Sequence, residues 1–357
     1  MTGRVAVIPY GVGIGDMVNM RPLVEAVVHA YPTAEVVLVA PRHLAWLVVA
    51  GASSTDRVQG LGAWRRLPPD HPAARVAGRL HVGQLAPIVR AVPSTTLASL
   101  MAQDLRRRGF DLVVNLLEAF SMLDLDRRWT AGAWSTDRRH VIDLLAIALE
   151  RQGIALPPAQ RAPRLRIEAV RSGRSPAVIL NPVAGSTLKE APTELWVRVA
   201  RCLLSRGMTP LLLVFPGRDD AQIVARAVPG CVLLASSSLR QVAAWVAGAD
   251  ALVSPDTGVL HLASALRTPY VGLYGSTDPL FLGPYDRGTG IMLETPLEHP
   301  LVCRGCWTAQ LLPSARCPVY PPDTCLRGIA AHDIADSVDR LLSRRGRHAV
   351  PHPGRAE

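Results

Sequence analysis

Short apolar segments alternate with stretches of helical periodicity along most of the chain. Residues 4–10 form an apolar run that leads into a glycine-rich turn, residues 22–30 have apolar positions at helical spacing, and residues 35–40 are apolar again. A strand, a helix and a strand in this order predict a right-handed βαβ unit on a parallel sheet. The first part of the chain is therefore predicted to be a Rossmann-like α/β domain.

The alternation stops at residues 158–176, which are rich in proline and arginine, and then restarts. Such segments with little periodicity are typical of linkers. We predict a first domain over residues 1–157, this linker, a second domain over residues 177–340 and a flexible tail over residues 341–357. Two doubly wound domains joined in this way predict an α/β fold in which both domains face a central ligand cleft.

Composition narrows the class of protein. The chain has 357 residues, 49% of them hydrophobic and 19% charged, which is enough apolar material for two packed domains. The apolar stretches are too short to span a bilayer, and residues 1–10 lack the features of a signal peptide. A cytoplasmic protein without stable membrane insertion is expected, and peripheral association with a membrane surface stays open.

The net charge of +10 favours an anionic partner. The basic residues form no arm or tract and only 5% of the residues are aromatic, so nucleic acid is not the expected partner and a phosphorylated small molecule fits better. Lys189 is the only lysine among the 39 basic residues. In so arginine-rich a chain, this lysine either marks a site that needs a compact ammonium or is a chance surface residue.

The first candidate site is the glycine-rich turn Gly11-Val-Gly-Ile-Gly-Asp16 after the first predicted strand. A turn at this point lets a ligand approach the backbone closely. The turn lacks the glycine spacing of the dinucleotide fingerprint, which argues against a nicotinamide cofactor. Asp16 is either a helix N-cap or a carboxylate base that takes a proton from a bound hydroxyl.

Two loops of the second domain carry polar residues at predicted strand ends. Asn181-Pro-Val-Ala-Gly-Ser-Thr-Leu-Lys189 combines two hydroxyls with the single ammonium, which can cradle phosphate oxygens although it is not a Walker motif. Asp256-Thr-Gly258 opens a predicted helix whose N–H groups and dipole can hold a diphosphate. His261 lies in the first turns of that helix and is either a site residue or a structural histidine.

Four blocks of residues resemble the ADP-heptose:lipopolysaccharide heptosyltransferases of glycosyltransferase family nine. They are Gly15-Asp16 with Pro22, the loop 185–189, Pro255-Asp-Thr-Gly with His261, and Gly275-Ser-Thr-Asp-Pro279, in family order over nearly the whole chain. The resemblance implies a GT-B fold with an N-terminal acceptor domain, a C-terminal nucleotide-sugar domain and a C-terminal helix that returns to the first domain. It also implies an inverting, metal-independent transfer without a catalytic cofactor.

Carried over to this chain, the resemblance implies that Asp16 is the general base on the acceptor hydroxyl and that Lys189 holds the diphosphate. The acidic residue that contacts the ribose of the donor in this family corresponds to Asp219 or Asp220. The partners are then a nucleotide-sugar donor of the ADP-heptose type and a saccharide acceptor with a hydroxyl group. The donor-binding candidates are Gly185, Ser186, Thr187, Lys189, Asp256, Thr257, Gly258 and His261, and the acceptor-binding candidates are Gly13, Gly15, Asn19, Trp129 and Trp134.

The chain departs from the family pattern between residues 118 and 139, where Phe120, Trp129 and Trp134 either stack on a sugar or belong to the core. An acceptor from antibiotic or other secondary metabolism, such as an aminocyclitol or pseudo-sugar, is therefore an alternative to lipopolysaccharide core. A nucleotide-sugar epimerase is less favoured, because the short-chain Rossmann signatures are missing. An inactive sugar-nucleotide sensor is less favoured because Asp16 and Lys189 are both retained.

Four of the six cysteines lie close together in the segment 303–325 of the second domain. Their number and compact spacing are those of a structural zinc site, and a reducing cytosol disfavours disulfides. Free thiols are the equally favoured alternative. The four candidate ligands are Cys303, Cys306, Cys317 and Cys325.

Overall fold

The structure is a computed structural model that describes residues 3–11, 13–40, 42–49, 58–60, 94–116, 139–174, 176–295 and 325–348. It divides into two units. The first holds the described residues up to Arg166 together with Leu280–Tyr285, and the second, which begins at Ile167, holds the others. The division falls inside the predicted linker, but the sequence prediction had assigned residues 280–285 to the second domain.

The first unit is built on a parallel sheet of four described strands. The strands are β1 Arg4–Ile8, β2 Glu35–Leu38, β3 Val58–Gly60 and β4 Leu112–Asn115, in the order β3-β2-β1-β4. Residues Val5, Ala6, Val7 and Ile8 of the central β1 are all buried, as expected for a parallel strand covered on both faces. The helices are α1 Ile14–Ala30, α2 Arg42–Val49, α3 Ser94–Arg107 and α4 Val141–Glu150.

The segment Leu280–Tyr285 is bonded to the beginning of α4. His140 caps this helix by accepting the Ile142 N–H at Nδ1 (3.1 Å), so its Nε2 carries the proton that it donates to the Gly283 carbonyl (2.7 Å). The Tyr285 hydroxyl donates to Asp143 Oδ1 at 2.7 Å. Burial, followed by this bond to Asp143, raises the pKa of Tyr285 to about 12.

The second unit contains a parallel sheet of β5 Ala177–Leu180, β6 Thr209–Val214, β7 Val232–Ala235, β8 Ala251–Pro255, β9 Tyr270–Tyr274 and β10 Gly290–Glu294. Their order in the sheet is β10-β9-β8-β5-β6-β7. Counted along this unit, the order is the 3-2-1-4-5-6 of Rossmann folds, in which ligands bind where the strand order reverses, at the carboxyl ends of the central strands. That point lies between β5 and β8.

Helices cover both faces of this sheet because alternate side chains of its strands point to opposite sides. Val178 and Leu180 pack in one core cluster with the helices at residues 193–205, 220–227 and 331–348, whereas Ala177 and Ile179 pack in another with the helices at residues 239–248 and 258–265. The helices along this part of the chain are α5 Thr193–Ser205, α6 Asp220–Ala227, α7 Leu239–Gly248, α8 Gly258–Ala265, α9 Pro279–Leu282 and α10 Ala331–His348.

The last helix is longer than the sequence predicted. It continues to His348, so residues 341–348 of the predicted flexible tail are helical. Its apolar face, with Ile334 and Val338, packs in the core of the second unit, and Arg206 of the same unit pairs with Asp336 at 2.6 Å. The packing that the structure shows for this helix lies within the second unit, and its expected return to the first domain stays a prediction.

The predicted α/β class with two Rossmann-like halves is confirmed by the two parallel sheets and their covering helices. Within the described parts of the chain, no helix combines the length and apolarity that crossing a membrane requires.

Candidate functional site

The predicted donor residues of the second unit gather where its strand order reverses. The loop after β5 contains Lys189, and the turn after β8 contains Asp256. Lys189 Nζ lies 3.3 Å from Asp256 Oδ2, and their side chains are only 13% and 7% exposed. The two loops, separated by 67 residues in the sequence, therefore meet in one buried ion pair.

Asp256 is held in its ionised form. Burial alone raises the pKa of this carboxyl, but Lys189, His261 and Thr277 together outweigh burial and hold the pKa well below its usual range. His261 Nε2 lies 3.8 Å from Asp256 Oδ1, which is too long for a hydrogen bond. Both His261 and Asp256 are buried, and the ion pair with Asp256 holds the Lys189 ammonium in position.

A hydroxyl and amide network fixes the turn that opens α8. The Asn181 side-chain amide donates to Ser254 Oγ at 2.9 Å and to Thr257 Oγ1 at 3.1 Å, and the two hydroxyls lie 2.9 Å apart. Thr257 is the N-cap residue of α8, yet its side chain makes no capping bond because it belongs to this network. The helix begins at Gly258 without a side-chain cap, which leaves its positive end suited to an anion.

The loop before Lys189 has a mixed character. Ser186 is buried, and its Oγ accepts the Leu188 N–H at 3.3 Å, which caps the short 3-10 helix Thr187–Lys189. Gly185 and Thr187 are exposed. The predicted role of Ser186 as a direct donor contact therefore competes with a structural role, whereas Gly185 and Thr187 lie on the accessible side of the loop.

Asp16 lies in the first turn of α1, in the first unit. Its Oδ2 accepts the N–H of Gly13 at 2.9 Å, and Gly13 itself is the N-cap residue. Asp16 is therefore the third residue of the helix, and its side chain accepts the N–H of the N-cap residue. It is not itself the N-cap residue, which was one of the two roles that the sequence allowed. A Cβ atom at Gly11 would lie 2.6 Å from Asp16 Cγ, so any side chain at position 11 would displace this carboxylate.

The other acceptor candidates are only partly described. Gly15 lies inside the first turn of α1, and the buried Asn19 donates to the Tyr10 hydroxyl at 3.3 Å. Trp129 and Trp134 lie outside the described residues, as do Cys303, Cys306 and Cys317. Cys325 is buried, and no group of three metal-binding side chains occurs in the described ranges. The zinc site stays a prediction.

Sequence reasoning missed two charged residues beside the Lys189 loop. Glu190 pairs with Arg218 through two hydrogen bonds of 2.8 and 3.1 Å, and Arg218 Nε donates to Asp220 Oδ2 at 2.9 Å. Asp219, the other candidate for a ribose contact, is exposed at the N-cap of α6. The sequence offered no signal for this pair beyond the adjacency of Glu190 to the single lysine.

A doubly wound parallel sheet whose polar loops meet at a strand-order reversal is typical of nucleotide-binding proteins, and the comparisons identify the family. The family model described as Glycosyltransferase family 9 (heptosyltransferase) matches residues 124–307. Because this range is more than half of the chain, the chain belongs to that family.

Individual relatives agree with this assignment. Lipopolysaccharide core heptosyltransferase OpsX of Haemophilus influenzae is 24% identical over an alignment of 220 positions, which covers 52% of this chain and 62% of OpsX, less than two thirds of its length. Lipooligosaccharide heptosyltransferase 2 of the same species is 23% identical, over 78% of this chain and 86% of the relative. The solved structure of E. coli heptosyltransferase WaaC with ADP has a TM-score of 0.58 at 16% identity and covers 95% and 99% of the two chains, which shows a shared fold.

Proposed function

We propose that this protein is an inverting glycosyltransferase that moves a heptose from an ADP-heptose-type donor to a hydroxyl group of a saccharide acceptor. The observation that carries the proposal is the buried Lys189–Asp256 pair at the strand-order reversal of the second unit, beside the uncapped start of α8. Family membership supports the choice of donor, as does the fact that the related WaaC was solved with ADP bound.

In this proposal the second unit stabilises the leaving diphosphate. Negative charge grows on the diphosphate as the glycosidic bond breaks, and preorganised positive groups lower the energy of that state. Lys189 supplies an ammonium that Asp256 has already oriented, and the start of α8 supplies backbone N–H groups. The exposed Thr187 hydroxyl can donate to a phosphate oxygen. These groups would neutralise the leaving group without a catalytic metal.

A cavity of about 450 Å³ at the ends of β6 and β7 suits the nucleoside. Val214 and Phe215 give it an apolar wall, and Ser236 and Gln222 give it polar groups. Small-molecule sites commonly combine apolar walls with a few polar groups in this way. Asp220, whose Oδ2 is bonded to Arg218 near this cavity, is the carboxylate we assign to the ribose hydroxyls.

Asp16 is the proposed base in the first unit. One of its oxygens is held by the Gly13 N–H, and within the described residues the other makes no hydrogen bond, so it can take a proton. Inversion requires the base to act on the acceptor while the leaving group departs on the opposite face of the sugar. The capping bond and the catalytic role are compatible because they use different oxygens.

The test compares Asp16→Asn with the unchanged protein. Asparagine keeps the size of the side chain and can still accept the Gly13 N–H, but it cannot take a proton at neutral pH. We expect ADP to bind with an unchanged Kd and heptose transfer to fall by about 10²–10⁴, the usual contribution of a general base. Transfer within a few-fold of the original rate would show that Asp16 is not the base.

The donor is tested separately by thermal unfolding in the presence of ADP-, GDP-, UDP- and dTDP-sugars. A ligand that binds the native state alone raises Tm, by an amount that grows with its concentration relative to Kd. We expect the largest rise with the ADP-sugar. A larger rise with another nucleotide-sugar would replace the proposed donor.

A further inference from the structure

Two charged side chains brace the loop that carries Lys189. Glu190 follows Lys189, and its Oε1 accepts the Ala184 N–H at 3.1 Å, so the side chain closes the loop back over six residues. Arg218, in the turn after β6, donates Nη1 to Glu190 Oε1 at 2.8 Å and Nη2 to Oε2 at 3.1 Å. Paired bonds of this kind fix both distance and orientation. The loop after β5 is therefore tied to the turn after β6.

These bonds to Glu190 matter because the loop that carries Lys189 has little regular structure of its own. The 3-10 turn Thr187–Lys189 is a single short turn, with backbone bonds from Lys189 N–H to the Ser186 carbonyl (2.9 Å) and from Glu190 N–H to the Thr187 carbonyl (3.2 Å). Short 3-10 segments have poor hydrogen-bond geometry and gain little stability of their own. The Ser186 cap and the buried Leu188 side chain hold the turn from one side, and the bonds to Glu190 hold the end that follows the lysine.

Arg218 is poorly suited to bind phosphate itself. Its bonds to Glu190 and then to Asp220 raise its pKa above the usual value, so it stays charged, but those bonds engage it with two carboxylates. Its Nε, Nη1 and Nη2 groups are directed at these carboxylates, which already balance its charge. Any effect of Arg218 on a diphosphate must therefore act through the loop.

We propose that Glu190 and Arg218 are positioning residues that hold the loop in the conformation in which Lys189 meets the donor diphosphate. The inference rests on the proposed function, because it assumes that the ligand is a nucleoside diphosphate. Without the pair, the nucleotide itself must order the loop when it binds. Lys189 remains chemically intact, so KM for the donor changes more than kcat at saturating donor.

The experiment measures Kd for ADP and for AMP by calorimetry, together with thermal unfolding, in Arg218→Gln, Glu190→Gln and the double variant. Arg226→Gln is the matched control, since Arg226 is an exposed arginine in the helix that follows the same turn. We expect each single variant to weaken ADP binding about tenfold, the effect of having to order roughly one residue on binding. AMP, with one phosphate fewer, should be affected less. The double variant should be no weaker than the singles, and the control should be unchanged.

The outcomes separate the inference from the proposed function. If Arg218→Gln weakens ADP and AMP by the same factor, Arg218 acts in the nucleoside cavity and the positioning role is wrong. An unchanged Kd for ADP in Glu190→Gln and Arg218→Gln, with binding lost in Lys189→Ala, would also overturn it while leaving the donor assignment intact. If the unchanged protein binds neither nucleotide, the proposed function fails and the inference with it. Should Arg218→Gln not fold, Glu190→Gln gives the comparison: glutamine can still accept the Ala184 N–H, but its NH2 group cannot accept the bond from Arg218 Nη2 and its side chain has no charge to pair with Arg218.

Discussion

Replacing Asp256 by asparagine removes the buried counter-charge of Lys189 and leaves the size of the side chain unchanged. At 3.3 Å, opposite unit charges attract by roughly 5 kcal/mol at an effective dielectric constant of about 20. Removing one partner of a buried pair typically costs ~3–5 kcal/mol, because the other charge stays buried without compensation. Asparagine can still accept the bond from Thr277, so we expect a loss of about 3 kcal/mol in the free energy of unfolding.

The same pair makes a specific prediction about pH. The pKa of Asp256 is lower in the folded protein than in the unfolded chain, so its stabilisation is present above the unfolded pKa of ~3.9 and is lost as pH falls towards the folded value. The stability difference between the unchanged protein and Asp256→Asn should therefore be constant from pH 7 to about pH 5 and should shrink below about pH 4.

Urea denaturation of the two proteins at pH 7, 5 and 3.5 measures this difference. Asp333→Asn is the control, because Asp333 is an exposed aspartate of α10 whose loss should cost less than about 1 kcal/mol at every pH. The reasoning would be refuted by an Asp256→Asn protein as stable as the original at pH 7, or by a difference that does not change on acidification.

Two further predictions concern the role of Lys189 in turnover and the contact between Gly11 and the Asp16 carboxylate. Lys189→Ala should reduce kcat/KM by about 10²–10³, the effect of losing one preorganised charge contact, and a steady-state assay with unchanged KM and kcat would remove the lysine from the site. Gly11→Ala should displace the Asp16 carboxylate and cost ~1–3 kcal/mol as an overpacked contact, measured by urea denaturation. Adding Asp16→Ala should restore most of that loss, and a double variant as unstable as Gly11→Ala would contradict the contact.

The sequence predicted the second unit well because its strands are buried on both faces. Such strands form apolar runs, and β5, β8 and β9 are buried throughout. The edge strand β10 was missed because Gly290–Glu294 is only half buried and has no strong pattern. The single lysine pointed to the loop that the fold brings to the strand-order reversal, because unusual residue usage is visible without any structure.

The partners of these residues could not be predicted. Lys189 and Asp256 are 67 residues apart, and Glu190 and Arg218 are 28 apart, so only the fold determines that they meet. Asp16 was expected to be either a cap or a base, and its capping bond depends on the local path of the glycine turn. Sequence periodicity reports which face of an element is buried, but it does not report which polar side chains of different elements touch.

The hydrogen bonds of His140 and Asp143 affect the stability of a truncated form of this protein. A polypeptide that ended at Arg166 would lack Gly283, which bonds to the buried His140, and Tyr285, which bonds to Asp143, although Asp143 would keep its ion pair with Arg161. Buried polar groups that lose their partners are costly, so the isolated N-terminal fragment would be less stable than the same residues in the intact chain. Residues 280–285 belong to the first unit, although five of the six strands of the second sheet precede them in the sequence.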